Sequence, residues 1–301
     1  LYTMVDTMVV GQIAGVEALA ALGAVDFLMW VVTGISTGLT QGFSIQLSQY
    51  YGAKDFENLR KSLAHSYRLT AFIAVGVLIL SQSFASLVLT GLHTPSNIIG
   101  MSLLYLRIIF CGIPATAAYN MFASALRAMG NSKTPLTAMI IASVLNVSLD
   151  LLFVAGFGWG VAGAAIATVI AQSFSAVYCF LILRRIDIVH LTRADFMPAS
   201  GMNARLMKLG IPVVFQNIII GVGGLVVQYV INGYGFLFVA GFTATNKLYG
   251  LLEMAAISYG YAIVTYVGQN LGAGKIDRIR KGVRSSMLLS LLTSLIISAA
   301  M

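Results

Sequence analysis

Two aspartates inside apolar stretches are the residues of this sequence with the clearest potential for chemistry. Asp6 lies in the apolar run 1–13, and Asp150 lies in the run 135–156, four residues after Asn146. This spacing places Asn146 and Asp150 on one face of a helix. Carboxylate and amide oxygens are ligands that hard cations accept, and a buried carboxylate can instead carry a proton. The pattern predicts a cation or proton site, and a hydrogen bond between membrane helices is the structural alternative.

Four further ionisable residues also fall inside apolar runs. They are Asp26, Arg107, Lys247 and Glu253. A charge at the middle of a bilayer costs at least about 2.5–3.5 kcal/mol, so each is a candidate for a functional role. Asp26 and Arg107 lie close enough to a span end to reach the interface. Lys247 and Glu253 share one span without sharing a face, and either a structural pairing or a cavity lining accounts for them.

The composition indicates a membrane protein. Apolar residues make up 58% of the chain and charged residues 9%, whereas a soluble domain carries about 25% charged residues. A helix needs about 20 apolar residues to cross the hydrocarbon core. We predict spans at 1–13 (truncated), 18–47, 69–92, 98–126, 135–156, 160–183, 209–232, 237–268 and 285–301 (truncated). These runs are too long for barrel strands, so the fold class is an all-α polytopic membrane protein.

Basic residues occur in alternate connections between these runs. All Lys and Arg residues except Arg107 and Lys247 lie in or beside four of them: 51–68, 127–134, 184–208 and 272–284. The intervening connections contain none: 14–17, 91–97, 157–159 and 233–236. The positive-inside rule places the basic loops in the cytoplasm. We therefore expect a multi-pass protein of the inner (plasma) membrane, with basic loops facing lipid headgroups of the bilayer and no nucleic acid partner.

One segment of the sequence occurs twice. The stretch 41–66 recurs as 261–286, so that Gln49 and Gly52 correspond to Gln269 and Gly272. Such a long period indicates duplication of half a protein, which is typical of secondary transporters. We expect both copies on the same membrane side, related by rotation about an axis near the membrane normal.

The repeated segment also predicts local structure. Gly52 and Gly272 are expected to adopt the left-handed turn that ends a helix. The stretch that follows in the first copy, with Arg60 and Lys61, is expected to form an amphipathic helix along the membrane surface.

The prolines predict where the spans bend. Pro114 lies near the middle of the run 98–126, where proline removes a backbone hydrogen bond, so it should bend this span. Pro135 and Pro212 should have milder effects, because each is expected near a helix start.

Motifs of enzymes and nucleotide hydrolysis are missing from the sequence. The three histidines, His65, His93 and His190, lie in or near loops without ligand-like spacing, and Cys111 and Cys179 are expected as small buried residues. The run 272–275 (GAGK) lacks the first glycine and the final Ser/Thr of a Walker A loop. We predict no enzyme activity, no cofactor other than a possible bound Na⁺, and energy from an ion gradient.

Five segments carry a resemblance to a known family. They are 5–23, 48–62, 125–135, 146–172 and 267–274. Together they resemble the multidrug and toxic compound extrusion (MATE) family of secondary transporters. The resemblance implies two pseudo-symmetric six-helix lobes around a cleft that opens alternately to either side. It assigns 1–190 to the N-terminal lobe, 191–204 to a cytoplasmic linker and 205–301 to the start of a C-terminal lobe, as in a fragment of a longer protein.

The resemblance also implies a site. Asp6, Asn146, Asp150 and Thr168 correspond to the residues that couple transport to a cation or proton, so they are also the expected ligands of Na⁺. Asn120 and Tyr105 correspond to the surrounding polar network. The run 209–232 contains no Asp or Glu, so coupling should be confined to the N-terminal lobe.

The expected function is export of amphipathic organic cations or drugs in exchange for Na⁺ or H⁺, by alternating access and as a monomer. A lipid or lipid-linked precursor flippase is an alternative, although the apolar runs hold two basic residues against four acidic ones. An uncoupled channel or scaffold is another alternative, and it does not need the acidic site. The sequence leaves the substrate and the choice between Na⁺ and H⁺ open.

Overall fold

The protein is built from α-helices along nearly its whole length. A computed structural model describes residues 2–300, without the side chains of 2–5, 247–249, 251–256 and 299–300. Lys247 and Glu253 are therefore outside the described side chains. In chain order the helices are α1 Tyr2–Ile13, α2 Val16–Gly23, α3 Asp26–Gly52, α4 Phe56–Gly91, α5 Ile99–Cys111, α6 Ile113–Ala128, α7 Lys133–Asp150, α8 Gly160–Leu183, α9 Met202–Asn232, α10 Phe236–Gly272 and α11 Ile276–Ala300.

The described residues of each apolar run that was expected to cross the membrane are helical, apart from short breaks at 24–25 and 112. Among the described residues, five helical stretches are long and apolar enough to span a bilayer, and the bent pair α5–α6 makes a sixth. No β-strand occurs in residues 2–300. The all-α polytopic membrane fold predicted from composition is confirmed.

The end of the bundle at which α3 and α10 end and α4 and α11 begin is here called the basic end. The helices extend beyond the predicted spans at this end. Helix α4 begins at Phe56 instead of residue 69. Asp55 caps it by accepting hydrogen bonds from the Asn58 backbone N–H at 3.1 Å and from the Asn58 side-chain amide at 2.7 Å. The expectation of a separate surface helix was wrong, because Arg60 and Lys61 lie on the first turns of α4.

The segment between α8 and α9 is fastened to α4. It contains two short 3₁₀ helices, Asp187–Val189 and Arg193–Phe196, and it ends where α9 begins, within the expected linker 191–204. The buried His65 side chain of α4 donates through Nε2 to the Met197 carbonyl at 3.0 Å, and its Nδ1 lies 2.7 Å from Asn203 Oδ1. The sequence placed His65 near a loop, and the structure places it inside this junction.

Both copies of the repeat end their helix in the same way, two residues later than expected. Gly52 and Gly272 are still helical, and the left-handed backbone occurs at Lys54 (φ 58°) and Gly274 (φ 70°). The next N–H bonds back five residues, from Asp55 to the Tyr50 carbonyl and equivalently in the second copy. This is a Schellman turn, so the predicted left-handed role of Gly52 and Gly272 was wrong.

Of the three proline predictions, two are confirmed and one is wrong. Helices α5 and α6 meet at a bend of 49°, and Pro114 lies in the first turn after it, as expected for a residue without an N–H donor. Pro135 lies in the first turn of α7. Pro212 lies inside α9 and not near its start, because that helix begins at Met202.

Helix α3 lies at the centre of the fold. It packs against α4 and α6 of the predicted N-terminal lobe and against α9 and α10 of the predicted C-terminal part. Small residues allow the close approach: a Cβ on Gly42 would overlap the Gly210 backbone, and one on Gly38 would overlap the Val214 backbone. Such contacts between small residues are the usual way in which membrane helices associate. On the far side of the N-terminal part, α1 contacts both α7 and α8.

The two copies of the repeat contact each other directly at the basic end. A Cβ on Gly52 would overlap the Gln269 carbonyl, and a Cβ on Gly272 would overlap the Gln49 carbonyl. We call this reciprocal contact the repeat crossing. It confirms that both copies lie on the same side of the molecule, and both glycines are there for the close approach of two helices.

Candidate functional site

Three helices bring the four predicted coupling residues together. Asp6 lies on α1, Asn146 and Asp150 on α7, and Thr168 on α8, and all four side chains are at most 3% exposed. The Thr168 hydroxyl donates a hydrogen bond to Asp6 Oδ2 at 3.0 Å. The Asp150 carboxyl interacts with the Asp6 carboxyl. These four residues therefore form one buried polar cluster, here called the carboxyl cluster.

The cluster contains polar atoms that the described residues leave without hydrogen bonds of good geometry. Both side-chain atoms of the Asn146 amide, and both oxygens of Asp150, are buried in this way. Leaving a buried donor or acceptor unsatisfied costs about 1–3 kcal/mol, and more for a charged group. Native proteins rarely retain such groups unless a ligand, an ion, a proton or water compensates them. The cluster thus has the properties of a binding site for a small species.

The backbone changes directly after the Asp150 side chain. Helix α7 ends at Asp150 and continues as a π-helical turn, Leu151–Gly156. Single π turns are rare and occur frequently at functional sites. Phe153 in this turn stacks on Trp159 with ring centroids 5.1 Å apart, which fixes the turn against the start of α8. The sequence analysis missed this turn, since the run 135–156 predicted one regular helix.

Asn120 and Tyr105, which were expected around the cluster, have different neighbours from each other among the described residues. Asn120 on α6 donates to the Thr37 hydroxyl of α3 at 3.2 Å. This hydrogen bond joins α6 to α3 and does not involve the carboxyl groups of Asp6 and Asp150. Tyr105 on α5 is 5% exposed and belongs to an apolar core that also contains Val10 and Val154. The described contacts thus place Asn120 in a second polar group.

The sequence analysis missed two polar residues, Thr116 and Gln172. They lie between the carboxyl cluster and the hydrogen-bonded pair of Asn120 and Thr37. The Thr116 hydroxyl of α6 donates a hydrogen bond to Gln172 Oε1 of α8. Gln172 is four residues after Thr168, and Thr116 is four residues before Asn120, so each lies on the same helix face as its neighbour. The four-residue spacings were the available signal. The polar groups thereby form a row from Asp6 to Thr37.

A cavity of about 450 Å³ lies at the end of this row. It is enclosed by α3, α9 and α10, and its lining includes Thr33, Thr37, Trp30, Asn217 and Tyr261. Asn217 donates to the Gly34 carbonyl at 3.0 Å, which ties α9 to α3 beside the cavity. The cavity combines aromatic rings with amides and hydroxyls, as expected of a site for an organic ligand.

Two other charges inside the predicted spans, Asp26 and Arg107, lie on α3 and α5, whereas the side chains of Lys247 and Glu253 are outside the described residues. Asp26 is the first residue of α3, and Arg107 is exposed on α5, where its backbone carbonyl accepts from Gln82 at 2.8 Å. Groups of three or more His, Cys, Asp or Glu side chains that could hold a metal ion are missing from the described residues. The Asp6–Asp150 pair is therefore the site with the clearest chemistry.

Known proteins resemble this chain over most of its length. A model of the MatE family matches residues 1–152 and 212–301. The probable multidrug resistance protein YpnP of Bacillus subtilis (strain 168) is 31% identical over 92% of this chain and 62% of its own length. The multidrug export protein MepA of Staphylococcus aureus (strain NCTC 8325 / PS 47) is 22% identical over 91% of this chain and 61% of its own length. The chain therefore spans about three fifths of the length of these relatives.

Solved structures share the fold. An outward-facing multidrug resistance MATE family transporter of the MOP superfamily superposes with a TM-score of 0.87 at 21% identity, covering 99% of this chain and 67% of that one. The inward-facing conformation of such a transporter gives 0.80 at 21% identity, covering 99% and 68%. The family model covers α1 and α7, which carry Asp6, Asn146 and Asp150, and the second copy of the repeat. The fold agrees with it, and the chain belongs to the MatE family.

Proposed function

We propose that this chain is the larger part of a secondary active antiporter that exports amphipathic organic cations or drugs in exchange for H⁺ or Na⁺. The observation that carries the proposal is the buried cluster of Asp6, Asp150, Asn146 and Thr168, in which the Asn146 amide and the Asp150 carboxyl lack hydrogen bonds of good geometry. The names of the relatives, multidrug resistance and multidrug export proteins, support the choice of substrate. An uncoupled channel or scaffold has no need for such a cluster.

The cluster fits a monovalent cation or a proton. Its donors are the carboxylate oxygens of Asp6 and Asp150, the amide oxygen of Asn146 and the hydroxyl of Thr168, all of which are oxygen ligands of the kind that hard cations accept. The Asn146 and Asp150 oxygens make no hydrogen bond of good geometry to a described residue, so they can serve that purpose. When bound, Na⁺ or H⁺ supplies positive charge that compensates the two carboxylates.

The residues of the cluster link its charge to helix packing. Two carboxylates that are both ionised repel each other, and Thr168 holds Asp6 in place against α8. Compensation of the charge changes which hydrogen bonds join α1 to α7 and α8, and so favours a different packing of these helices. Exchange results if substrate and cation prefer different packings, because a ligand shifts an equilibrium only by its difference in affinity.

The cavity between α3, α9 and α10 is the proposed place for the organic substrate. Trp30, which is 40% exposed, and Tyr261 provide aromatic faces. A cation over such a face gains about 0.5–2 kcal/mol. The row of polar groups from Asp6 to Thr37 joins this cavity to the carboxyl cluster.

The proposal includes an orientation. The basic end carries the loops 51–68, 127–134, 184–208 and 272–284, and we place it on the cytoplasmic side of the inner membrane according to the positive-inside rule. The repeat crossing then lies on the cytoplasmic side of the substrate cavity. We also propose that the protein works as a monomer, because both sites are formed within one chain.

The test is transport by the purified protein in liposomes. A dye substrate is followed while a Na⁺ gradient and a pH gradient are imposed in turn. We expect export with at least one gradient, and its loss in Asp6→Asn and in Asp150→Asn, since each change removes one carboxylate from the pair. Asp26→Asn is the matched control, because it removes a carboxylate from an apolar run outside the cluster.

Two results would contradict the proposal. One is normal export by either cluster variant under both gradients, with the variants folded and inserted. The other is an equal loss of export in Asp26→Asn, which would show that any carboxylate in a span is needed. Comparison of the two gradients decides between Na⁺ and H⁺.

A further inference from the structure

A second cavity, separate from the carboxyl cluster and the substrate cavity, lies on the outside of the N-terminal part near the basic end. It measures about 320 Å³ and is enclosed by α4, α6 and α8, which is at the lower end of the range of about 300–1,000 Å³ for ligand pockets. Three aromatic rings join these helices: Tyr67 to Phe122 at 5.4 Å and Phe122 to Phe180 at 5.3 Å. We call this cavity the lateral groove.

The lateral groove faces the lipid. Ala71 and Val75 of α4 are exposed, and so is Phe180 of α8 at 39%, although all three line the groove. No charged residue is among its lining residues. In a membrane-spanning fold, an apolar opening of this kind is filled from the bilayer and not from water.

One polar atom inside the groove lacks a partner. Thr70 lines the groove and is 7% exposed, and its hydroxyl makes no hydrogen bond to any described residue. A buried hydroxyl without a partner costs about 1–3 kcal/mol. An ester carbonyl of a lipid accepts hydrogen bonds, and it would satisfy this donor once rotation of the Thr70 side chain turned the buried hydroxyl into the groove.

Two arginines stand on the side of the groove that faces the basic end. Arg184 follows Phe180 by four residues, and Arg68 precedes Ala71 by three, so each lies on the helix face of a lining residue. Both are exposed. The ion pairs in the described part of the chain are Arg60–Asp195 and Lys61–Glu57, and neither arginine is in one. Arg68 uses one nitrogen for the Phe196 carbonyl, at 2.9 Å, and keeps further donors.

From this order of groups we infer that the lateral groove binds an anionic glycerophospholipid of the leaflet at the basic end. Its phosphate lies between Arg68 and Arg184, its ester region at Thr70, and one acyl chain between Ala74 and Pro114. Basic pockets between membrane helices bind anionic headgroups in this way. The occupant is a lipid and not the exported substrate, because the arginines would repel an organic cation.

Tryptophan quenching by brominated lipids tests the proposal. Trp30 and Trp159 are replaced by Phe, and Phe122→Trp then places the single fluorophore inside the groove. The protein is reconstituted in phosphatidylcholine with a minor fraction of either brominated phosphatidylglycerol or brominated phosphatidylcholine. We expect the anionic lipid to quench more strongly. The preference should fall about fivefold for each arginine in Arg68→Gln and Arg184→Gln.

A matched control uses another apolar groove, enclosed by α3, α4 and α5, which Phe84 lines without a basic residue. Phe84, 52% exposed, replaced by Trp should be quenched equally by the two lipids. Phe180→Trp replaces Phe122→Trp if the latter does not fold.

Three results would overturn the proposal. They are equal quenching by the two lipids at the groove position, no quenching there at all, and a preference that survives in the Arg68→Gln, Arg184→Gln double variant. Because the readout is lipid contact in the absence of any gradient, none of these results bears on the proposed antiport.

Discussion

Replacement of either glycine of the repeat crossing by alanine should separate the two copies of the repeat. A methyl group on Gly272 would overlap the Gln49 carbonyl, and one on Gly52 would overlap the Gln269 carbonyl. Both obstacles are backbone atoms, so neither can rotate away as a side chain would. The helices α3 and α10 must therefore move apart at their ends to accept the substitution.

The expected magnitude follows from the cost of overpacking. Inserting a methylene-sized group into a well-packed contact typically costs about 1–3 kcal/mol. Since about 1.4 kcal/mol corresponds to a factor of ten, each variant should shift the ratio of joined to separated helix ends by about 5- to 150-fold. The double variant should shift it by less than the product of the two, because one movement of the helices relieves both overlaps.

The separation can be measured as a distance between two spin labels. Glu57 and Asp277 are exposed, occupy equivalent positions in the two copies and stand just beyond the crossing. They are labelled as cysteines after Cys111→Ser and Cys179→Ala, and the distance distribution is recorded by pulsed electron paramagnetic resonance. Gly52→Ala and Gly272→Ala should each lengthen it.

The control for this measurement is Gly241→Ala, also on α10. A Cβ at that position meets nothing within 4 Å, so the distance should not change. An unchanged distance in both crossing variants would refute the reasoning. So would an equal change in the control, because the effect would then come from helix propensity and not from overlap.

Three further substitutions have expected outcomes. Thr168→Val removes the donor to Asp6 and should raise the concentration of coupling cation that gives half-maximal export, whereas Thr168→Ser should not. Pro114→Ala restores a backbone donor, so the 49° bend between α5 and α6 should decrease in a structure of the variant. His65→Leu removes the buried imidazole that bonds to the Met197 carbonyl and lies against the Asn203 side chain, a net loss of about 0.5–1.5 kcal/mol for each hydrogen bond, and thermal unfolding should begin at a lower temperature.

Each of these expectations has an outcome that contradicts it. If Thr168→Val and Thr168→Ser have the same cation dependence, the hydroxyl does not act on Asp6. If the bend persists in Pro114→Ala, then packing around Gly112 and not the missing donor produces it. If His65→Leu unfolds at the temperature of the unchanged protein, the junction with the α8–α9 segment contributes little to stability.

The membrane fold and the candidate residues Asp6, Asn146 and Asp150 could be predicted because they depend on rules that local sequence obeys, whereas Thr168 was added only because of the family resemblance. A charge inside an apolar run is costly wherever the run packs, so Asp6 and Asp150 stand out without any structure. The four-residue spacing of Asn146 and Asp150 fixed their shared face. In the structure Asp6, which is far away in sequence, accepts a hydrogen bond from Thr168.

The remaining features depend on tertiary contacts that the sequence does not display. Gln172 and Thr116 are uncharged and common in membrane helices, so only their hydrogen bond identifies them. Gly52 has the same local sequence whether it ends a helix or lies against one. Its role depends on Gln269, which approaches from the second copy. The start of α4 was placed too late because Arg60 and Lys61 indicate an aqueous loop, whereas a helix can continue beyond the bilayer.

The repeat crossing affects how the sequences of the two copies of the repeat can change. Its contacts are mutual, Gly52 with Gln269 and Gly272 with Gln49, which is the pattern of an interface between two identical subunits. In a homodimer every substitution appears on both sides at once. Here both surfaces belong to one chain, so one copy can vary while the other is kept.

The difference already exists in the turn beside the crossing. The first copy has Lys54 in the left-handed conformation, and the second has Gly274 at the equivalent position. A side chain in that conformation costs roughly 1–2 kcal/mol, a penalty that a symmetric dimer would bear twice and this chain bears once. Because both copies belong to one chain, a substitution can change one side of this symmetric contact while the other side stays the same.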